Sequence, residues 1–242
     1  MADINGVFIT GTDTDVGKTV VSATIIRALV NGGLSVAGLK PIASGFEQKG
    51  TEWRNADVDA LTLASNVDLP KSRVNRYSFK LPIAPHIAAL QSGKSLDFNL
   101  IKQDVHYAAK KADFVLVEGV GGWNVPLSDP NKSQTEDIQS LAQHLKLPVI
   151  MVVGLRLGCL NHALLTANAI KHSGLELVGW VANHIDPEFS YVDDNILTLD
   201  QQLSAPRLFD IPYTADCDQV TLDEISCSAY IKSLLLRVMV NR

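Results

Sequence analysis

Residues 7–19 read V-F-I-T-G-T-D-T-D-V-G-K-T, and this stretch decides the fold of the chain. The apolar run Val7–Thr10 predicts a strand, and a helix is predicted over Lys18–Asn31. The loop between them contains Gly11 and Gly17 and ends in G-K-T. A strand, a glycine-containing loop of this kind and a helix together indicate a phosphate-binding loop, or P-loop. In a P-loop, backbone N–H groups and the helix N-terminus face phosphate oxygens.

Two positions of the P-loop match the usual sequence pattern, and two others differ from it. Lys18 is expected to add a positive charge, and the hydroxyl of Thr19 to bind Mg²⁺. Five residues rather than four separate the two glycines, so Thr12 takes the place that usually belongs to the first glycine. Asp13 stands where ATPases that partition plasmids or position division sites carry a signature lysine. The missing lysine argues against that subclass.

Short β-branched runs alternate with helix-length segments along the chain. This alternation is typical of βαβ units and of a parallel sheet that is buried on both faces. Strands are predicted at Val7–Thr10, Val36–Pro41, Phe114–Glu118, Pro148–Val153, Val178–Asn183 and Leu208–Ile211. Helices are predicted at Lys18–Asn31, Asp57–Asn66, Pro85–Gln91, Asp97–Lys111, Glu136–Leu145, Leu160–His172 and Phe189–Leu203, with a last helix that carries Ile231, Leu234, Leu235 and Val238 on one face. We therefore expect an α/β fold of the P-loop NTPase type, with a mostly parallel sheet, helices on both faces and one domain over residues 1–242.

The composition points to a folded protein with small-molecule partners. The chain has 242 residues, 46% of them hydrophobic, and a net charge of −5. No block of five like charges occurs, which argues against nucleic acid or a membrane surface as a partner. The longest apolar run, Leu147–Leu155, has nine residues, whereas a membrane span requires roughly 18. The first residues lack the basic region of a secretory signal, so we expect a cytoplasmic protein, or an organellar one if a transit peptide was removed.

Ala43–Asp57 shows neither a period of two nor a period of 3.6 residues, and a loop is expected there. Long loops in compact domains are usually functional. Trp53 within it could plug the core or form part of a lid over a site.

Polar residues end two more of the predicted strands. Because carboxyl ends of neighbouring parallel strands open onto one crevice, Lys40 is expected to face phosphate. Glu118 ends F-V-L-V-E and could hold Mg²⁺ as the acidic residue of a Walker B strand does, while Gly119 and Gly121 allow a close approach of the backbone. Asp57 is explained adequately as an N-cap or first-turn acid of its helix. Only the residues around it would make it a metal ligand.

Seven short motifs extend this pattern along most of the chain. In order, they are G-T-D-T-D-V-G-K-T, K-P-I-A-S-G, R-N-A-D, P-H-I-A-A, V-E-G-V-G-G-W, V-V-G-L-R-L-G-C-L-N-H and G-W-V-A-N. From about Gly6 to Tyr213 the chain thus resembles the dethiobiotin synthetase family of the biotin pathway. The resemblance implies an enzyme that condenses CO₂ with 7,8-diaminopelargonic acid, using MgATP, to close the cyclic urea of dethiobiotin.

The resemblance also implies roles for individual residues. Lys18 and Lys40 would be catalytic, and Asn183 would read adenine. Mg²⁺ would bind Thr19, Asp57 and Glu118. ATP would contact Asp15, Val16, Gly17, Lys18, Thr19, Val20, Asp57, Glu118, Gly119, Gly121, Asn183, His184, Pro212, Tyr213 and Thr214. The substrate would contact Thr14, Ser44, Gly121 and Asn161, and its carbamate would meet Lys40 as well as Ser44.

The sequence departs from the family pattern in two places. The family commonly has Asp after the adenine-reading Asn, whereas His184 follows Asn183 here, and this puts strict nucleobase choice in doubt. The match is loose after Asp186, and the extension beyond Leu222 has no assigned role.

Residues 154–161, G-L-R-L-G-C-L-N, link an apolar strand to a helix. The unpaired N–H groups of a helix start can bind an anion, here the substrate carboxylate. In the family this segment reaches the active site of the other subunit, so a homodimer with sites at the interface is expected. The plainer interpretation is that Asn161 caps its helix and Arg156 only solvates a loop.

Two alternative functions remain open from the sequence. One is a related P-loop synthetase that acts on another amine or carboxylic acid, although synthetases of the cobyrinic-acid-amidating type carry a glutaminase domain for which 242 residues leave no room. The other is a nucleotide-switched ATPase of the partitioning type, which would be expected to have the signature lysine and a basic DNA-binding face. Dependence of ATP hydrolysis on added diamine and bicarbonate would distinguish these possibilities.

Overall fold

The computed structural model describes residues 4–129 and 135–213. The strands in these residues are β1 (Gly6–Gly11), β2 (Val36–Leu39), β3 (Ile42–Ser44), β4 (Glu47–Lys49), β5 (Glu52–Arg54), β6 (Tyr77–Phe79), β7 (Phe114–Glu118), β8 (Val149–Leu155), β9 (Leu177–His184) and β10 (Arg207–Ile211). The helices are α1 (Lys18–Asn31), α2 (Ala56–Ala64), α3 (Lys71–Val74), α4 (Pro85–Gln91), α5 (Phe98–Ala109), α6 (Ile138–Leu145), α7 (Cys159–His172) and α8 (Val192–Gln202). None of the helices in the described part is long and apolar enough to cross a membrane. The predicted last helix and Thr214 lie outside the described residues.

Six strands form a central sheet in the order β10-β9-β8-β1-β7-β2, and every neighbouring pair is parallel. In β1, Val7 and Ile9 join one hydrophobic cluster and Phe8 joins another. Helices α1 and α2 contribute to the first cluster, and α5, α6 and α7 contribute to the second. The predicted α/β fold with helices on both faces is therefore confirmed. Because all six strands run in one direction, their carboxyl ends lie at one edge of the sheet.

The second strand is shorter than predicted. Strand β2 ends at Leu39 rather than at Pro41, because proline has no N–H group to donate to a neighbouring strand. The N–H of Lys40 donates instead to the carbonyl of Val74, at 2.9 Å. Lys40 therefore lies just outside the sheet, at the edge where the carboxyl ends meet.

The expectation of a loop over residues 43–57 is wrong. This segment includes the end of β3, a strand that pairs with β6. It also contains the antiparallel pair β4 and β5. Gly50 makes the turn between β4 and β5 with a φ of 65°. Trp53 on β5 is 45% exposed, with the Nζ of Lys80 4.2 Å from the ring centre. Trp53 therefore does not plug the core, and its part in a lid stays a prediction.

Candidate active site

The P-loop connects β1 to α1 through two left-handed residues. Asp15 has a φ of 57° and Gly17 a φ of 84°. A Cβ atom at Gly17 would lie 2.0 Å from the Nδ2 of Asn183, so a larger residue does not fit. No side chain caps α1, which leaves its first N–H groups available to an anion. The buried Lys18 donates from Nζ to the backbone oxygen of Asp13 at 2.9 Å.

Four side chains converge beside the P-loop. Lys40 donates from Nζ to the Oε1 of Glu118 at 2.6 Å and also to Asp57. The Oγ1 of Thr19 donates to the same oxygen of Glu118 at 2.7 Å. The side chains of Lys40 and Glu118 are only 5% and 0% exposed, whereas that of Asp57 is 43% exposed. Two of the three predicted metal ligands, Asp57 and Glu118, thus pair with the ammonium group of Lys40, and the third, Thr19, bonds to Glu118.

Strand order explains how three of these side chains meet. Strand β7 lies between β1 and β2. Glu118 is the last residue of β7, and Lys40 follows the end of β2 directly. Thr19 lies in the first turn of α1, which follows β1. Neighbouring parallel strands therefore deliver all three side chains to the same edge of the sheet.

Asp57 enters the cluster from the first turn of α2. The N-cap of α2 is Asn55, whose side chain accepts a hydrogen bond from the N–H of Val58 at 3.2 Å. The interpretation of Asp57 as an N-cap is therefore wrong, and it is a first-turn acid that pairs with Lys40. The side chain of Asn55 also donates to the backbone oxygen of Ser44 at 3.0 Å, so the same residue anchors the start of α2 and the end of β3.

The charges of the cluster alter the pKa values of its members. Burial lowers the pKa of Lys18, and the charge of Lys40 contributes to bring it to about 8. Burial also opposes the charge of Lys40, but Glu118 and Asp57 outweigh it and raise the pKa of Lys40. Partial burial favours neutral Asp57, but the ammonium of Lys40 outweighs it and lowers the pKa of Asp57. Lys40 and Asp57 therefore stay charged, while Lys18 can lose its proton in mildly alkaline solution.

One unpaired oxygen shows that the cluster fits a metal ion. The Oε2 of Glu118 is buried and has no hydrogen-bond partner among the described residues, a costly arrangement for a carboxylate unless a cation uses it. Two carboxylates and a hydroxyl suit Mg²⁺, which commonly retains water and phosphate ligands. No group of three or more His, Cys, Asp or Glu side chains that could hold a metal occurs within residues 4–129 and 135–213. The residues present thus fit a cation that phosphate oxygens help to bind.

The residues predicted to surround adenine lie at neighbouring strand ends. Asn183 is near the end of β9, pairs with Ile211 of β10, and donates from Nδ2 to the backbone oxygen of Val16 at 2.9 Å. His184 is half-buried, and Pro212 and Tyr213 are exposed just after β10. The structure therefore joins Asn183 to the P-loop, and its contact with adenine stays a prediction.

The predicted substrate residues come from four segments. The Oγ of Ser44 is shielded from solvent and has no hydrogen-bond partner in the described part of the chain. Gly121 has a φ of 66°, and a Cβ there would lie 3.7 Å from the Oγ1 of Thr14. Asn161 is exposed in the first turn of α7. Thr14 and Gly121 are thus close together, whereas within the described residues no hydrogen bond joins Asn161 to either of them.

The plainer interpretation of the β8–α7 connection is wrong on both points. The N-cap of α7 is Gly158, with a φ of 93° and no side-chain cap, so Asn161 does not cap the helix. Arg156 does not merely solvate the loop, because its guanidinium forms an ion pair with Asp13 in the P-loop. No local sequence pattern indicates this pair.

Asn75 is another residue that sequence reasoning missed. Its Nδ2 donates to the backbone oxygen of Lys40 at 2.6 Å, and its Oδ1 accepts from the hydroxyl of Ser78. Asn75 therefore fixes the backbone from which the Lys40 side chain extends. Asparagine between a short helix and a short strand is common in turns, so its position alone does not reveal this role.

Comparison with known proteins gives a consistent result. The family described as an AAA domain (AAA_26) matches residues 5–221. The ATP-dependent dethiobiotin synthetase BioD of Vibrio parahaemolyticus is 44% identical over 210 residues, which are 87% of this chain and 90% of that protein. The protein of the same name from Aliivibrio salmonicida is 46% identical over the same shares.

A solved structure supports the fold independently. A chain of the MinC:MinD cell division protein complex from Aquifex aeolicus matches with a TM-score of 0.56, covering 98% of this chain and 97% of that chain. Its sequence identity is 16%, so the likeness concerns the fold alone.

Proposed function

This chain belongs to the dethiobiotin synthetase family, and from this premise we propose that it condenses CO₂ with 7,8-diaminopelargonic acid to form dethiobiotin. ATP is the co-substrate and is converted to ADP and phosphate. The observation that carries the proposal is the convergence of Thr19, Lys40, Asp57 and Glu118 beside the P-loop lysine. This arrangement provides cations and phosphate-facing groups at one place, as phosphoryl transfer requires.

The proposed reaction needs no side-chain nucleophile. One amine of the substrate adds to CO₂ and loses a proton, which gives a carbamate. A carbamate oxygen then attacks the γ-phosphorus of ATP and ADP leaves. The second amine attacks the carbonyl carbon of the resulting carbamic-phosphoric anhydride and loses a proton, and phosphate leaves as the urea ring closes. The protein therefore contributes positioning and positive charge, which are the main requirements of phosphoryl transfer.

Each cation of the site has a distinct position in this proposal. Lys18 lies within the P-loop and would contact the ATP phosphates in the bound and transition states. Lys40 is bonded to Glu118 and Asp57 and would stabilise charge on the phosphoryl group and the carbamate, and Ser44 would also contact the carbamate. Mg²⁺ held by Thr19, Asp57 and Glu118 would supply positive charge to the phosphate oxygens. Asn183 would contact adenine while its amide supports the P-loop.

We further propose a homodimer in which the β8–α7 connection completes the partner's site. The first turn of α7 has uncapped N–H groups that suit the substrate carboxylate. Leu157 before α7 is 90% exposed and Leu165 on α7 is 61% exposed, which favours burial against another surface. Chains with Lys18→Ala and chains disrupted at Asn161 and the neighbouring turn, each inactive alone, should regain activity in heterodimers when they are mixed under conditions of subunit exchange. Verified exchange without recovered activity would contradict shared sites.

The experiment that tests the function is incorporation of radiolabelled bicarbonate into dethiobiotin. Product should appear only when ATP, Mg²⁺ and the diamine are all present. Lys40→Gln should lower kcat on the order of 10²-fold, the usual effect of losing one electrostatic donor, while ATP binding changes little. Lys71→Gln, which removes an exposed lysine on α3, is the charge control. Incorporation that requires a different amine would favour a related synthetase instead.

A further inference from the structure

Asp13 connects the P-loop to the β8–α7 connection through several contacts. Its Oδ1 accepts the N–H of Thr14 at 2.8 Å, and its other carboxylate oxygen pairs with Arg156. Its backbone oxygen accepts a hydrogen bond from the Nζ of Lys18 at 2.9 Å. The position of Asp13 therefore sets the position of the backbone oxygen that accepts the hydrogen bond from Lys18.

The loop containing Asp13 has a reason to need such support. Thr12 takes the place that usually belongs to the first glycine of a P-loop. The loop also contains Asp15 with a φ of 57°, a conformation that non-glycine residues seldom adopt. A residue held in such a conformation costs free energy and persists only where its surroundings hold it, so an added contact at the centre of the loop helps to keep the phosphate-binding shape.

Arg156 is well placed to provide that contact. The N–H of Thr12 donates to the carbonyl of Val152 on β8 at 3.0 Å, and the N–H of Cys159 donates to the carbonyl of Arg156 at 3.0 Å. The P-loop backbone is thus bonded to β8, and the chain after β8 turns back at Arg156. The guanidinium of Arg156 therefore reaches Asp13 from the chain after β8, the strand to which the P-loop backbone is hydrogen-bonded.

We propose that Arg156 is a positioning residue for Lys18, acting through Asp13. The ion pair holds the centre of the P-loop, and the backbone oxygen of Asp13 holds the Nζ of Lys18 where phosphate binds. This inference rests on the proposed function only in that ATP is the ligand of the P-loop. It assigns Arg156 a role that requires no contact with ATP or with the diamine.

The test measures ATP binding by isothermal titration calorimetry with the full chain. Arg156→Gln removes the guanidinium. Asp13→Asn keeps an oxygen that can accept the N–H of Thr14 but removes the charge that orders Arg156. Both side chains are partly exposed, 40% for Arg156 and 46% for Asp13, and exposed ion pairs contribute modestly, so each variant should weaken ATP binding roughly two- to fivefold. Arg156→Lys should restore part of the affinity.

The direction in which Asp13→Asn changes the ATP affinity distinguishes a positioning role of Arg156 from simple electrostatic attraction of ATP. If Arg156 only attracted ATP at long range, removal of the Asp13 carboxylate would strengthen ATP binding. If the pair positions Lys18, removal of either partner weakens binding, and the double variant binds ATP no more weakly than the worse single variant. Unchanged or stronger ATP binding by Asp13→Asn, or additive losses in the double variant, would overturn the proposal.

Two controls keep the outcomes distinct. Lys71→Gln and Glu52→Gln remove the same charges from an ion pair of α3 and β5, and neither should change ATP affinity beyond experimental error. Circular dichroism and thermal unfolding show whether each variant is folded. Failure of the unaltered chain to bind ATP would contradict the proposed function itself, whereas equal binding by the unaltered chain and the variants would contradict only the role of Arg156.

Discussion

Replacing Lys40 with methionine should destabilise the folded protein strongly. Glu118 is completely buried, and Lys40, itself 5% exposed, is the cation that pairs with it in the structure. Methionine has a similar length but no charge, so among the described residues the carboxylate of Glu118 would keep the hydroxyl of Thr19 as its one hydrogen-bond partner. Removal of one member of a buried ion pair typically costs about 3–5 kcal/mol. For a chain of this size, that corresponds to a fall in Tm of roughly 6–20 °C.

Thermal unfolding followed by circular dichroism is the assay, and the response of the Tm to Mg²⁺ is a second readout. Added Mg²⁺ should raise the Tm of Lys40→Met more than that of the unaltered chain, because the internal cation no longer competes for the carboxylates.

A matched variant and a clear failure criterion complete this prediction. Lys71 on α3 pairs with Glu52 at 3.4 Å, and its side chain is 86% exposed, so Lys71→Met should change stability by less than about 1 kcal/mol. If Lys40→Met unfolds at the same temperature as Lys71→Met, the pair with Glu118 does not stabilise the fold as argued. Equal responses of Lys40→Met and the unaltered chain to Mg²⁺ would contradict competition between Lys40 and the metal.

Three more predictions follow from single features of the structure. Gly17→Ala should abolish measurable ATP binding, because its φ is 84° and the new Cβ would lie 2.0 Å from Asn183; calorimetric binding at normal affinity would contradict this geometry. ATP affinity should fall as the pH rises through about 8, because burial and Lys40 lower the pKa of Lys18 to about 8. The neutral amine that forms attracts phosphate less than the ammonium does. A constant Kd from pH 7 to about 9 would refute this prediction. Asp104→Asn should lower the free energy of unfolding, measured with urea, by about 3 kcal/mol, since this buried carboxylate pairs with two arginines. A loss below about 1 kcal/mol would show that water replaces the carboxylate as the partner of the arginines.

The sequence alone determined the sheet and the phosphate-binding edge of the site. Helices α1 and α4 and strand β7 have the predicted bounds, and the other predicted strands of the sheet lie where their apolar runs indicate. Such runs determine strands because an apolar segment of this length is stable only when the sheet buries it on both faces. The G-K-T motif and Glu118 were identifiable for the same reason, since each stands at a strand or helix end whose position the pattern defines.

Only the tertiary structure decided how the charged groups pair. Lys40 and Glu118 are 78 residues apart, and Arg156 and Asp13 are 143 apart, so no local pattern relates them. The hairpin of β4 and β5 is exposed on both sides and therefore lacks the alternation of apolar and polar residues that identifies a half-buried strand. Hydrophobic periodicity records burial along one element, whereas these ion pairs depend on which strands become neighbours in the sheet, and that arrangement exists only after the chain has folded.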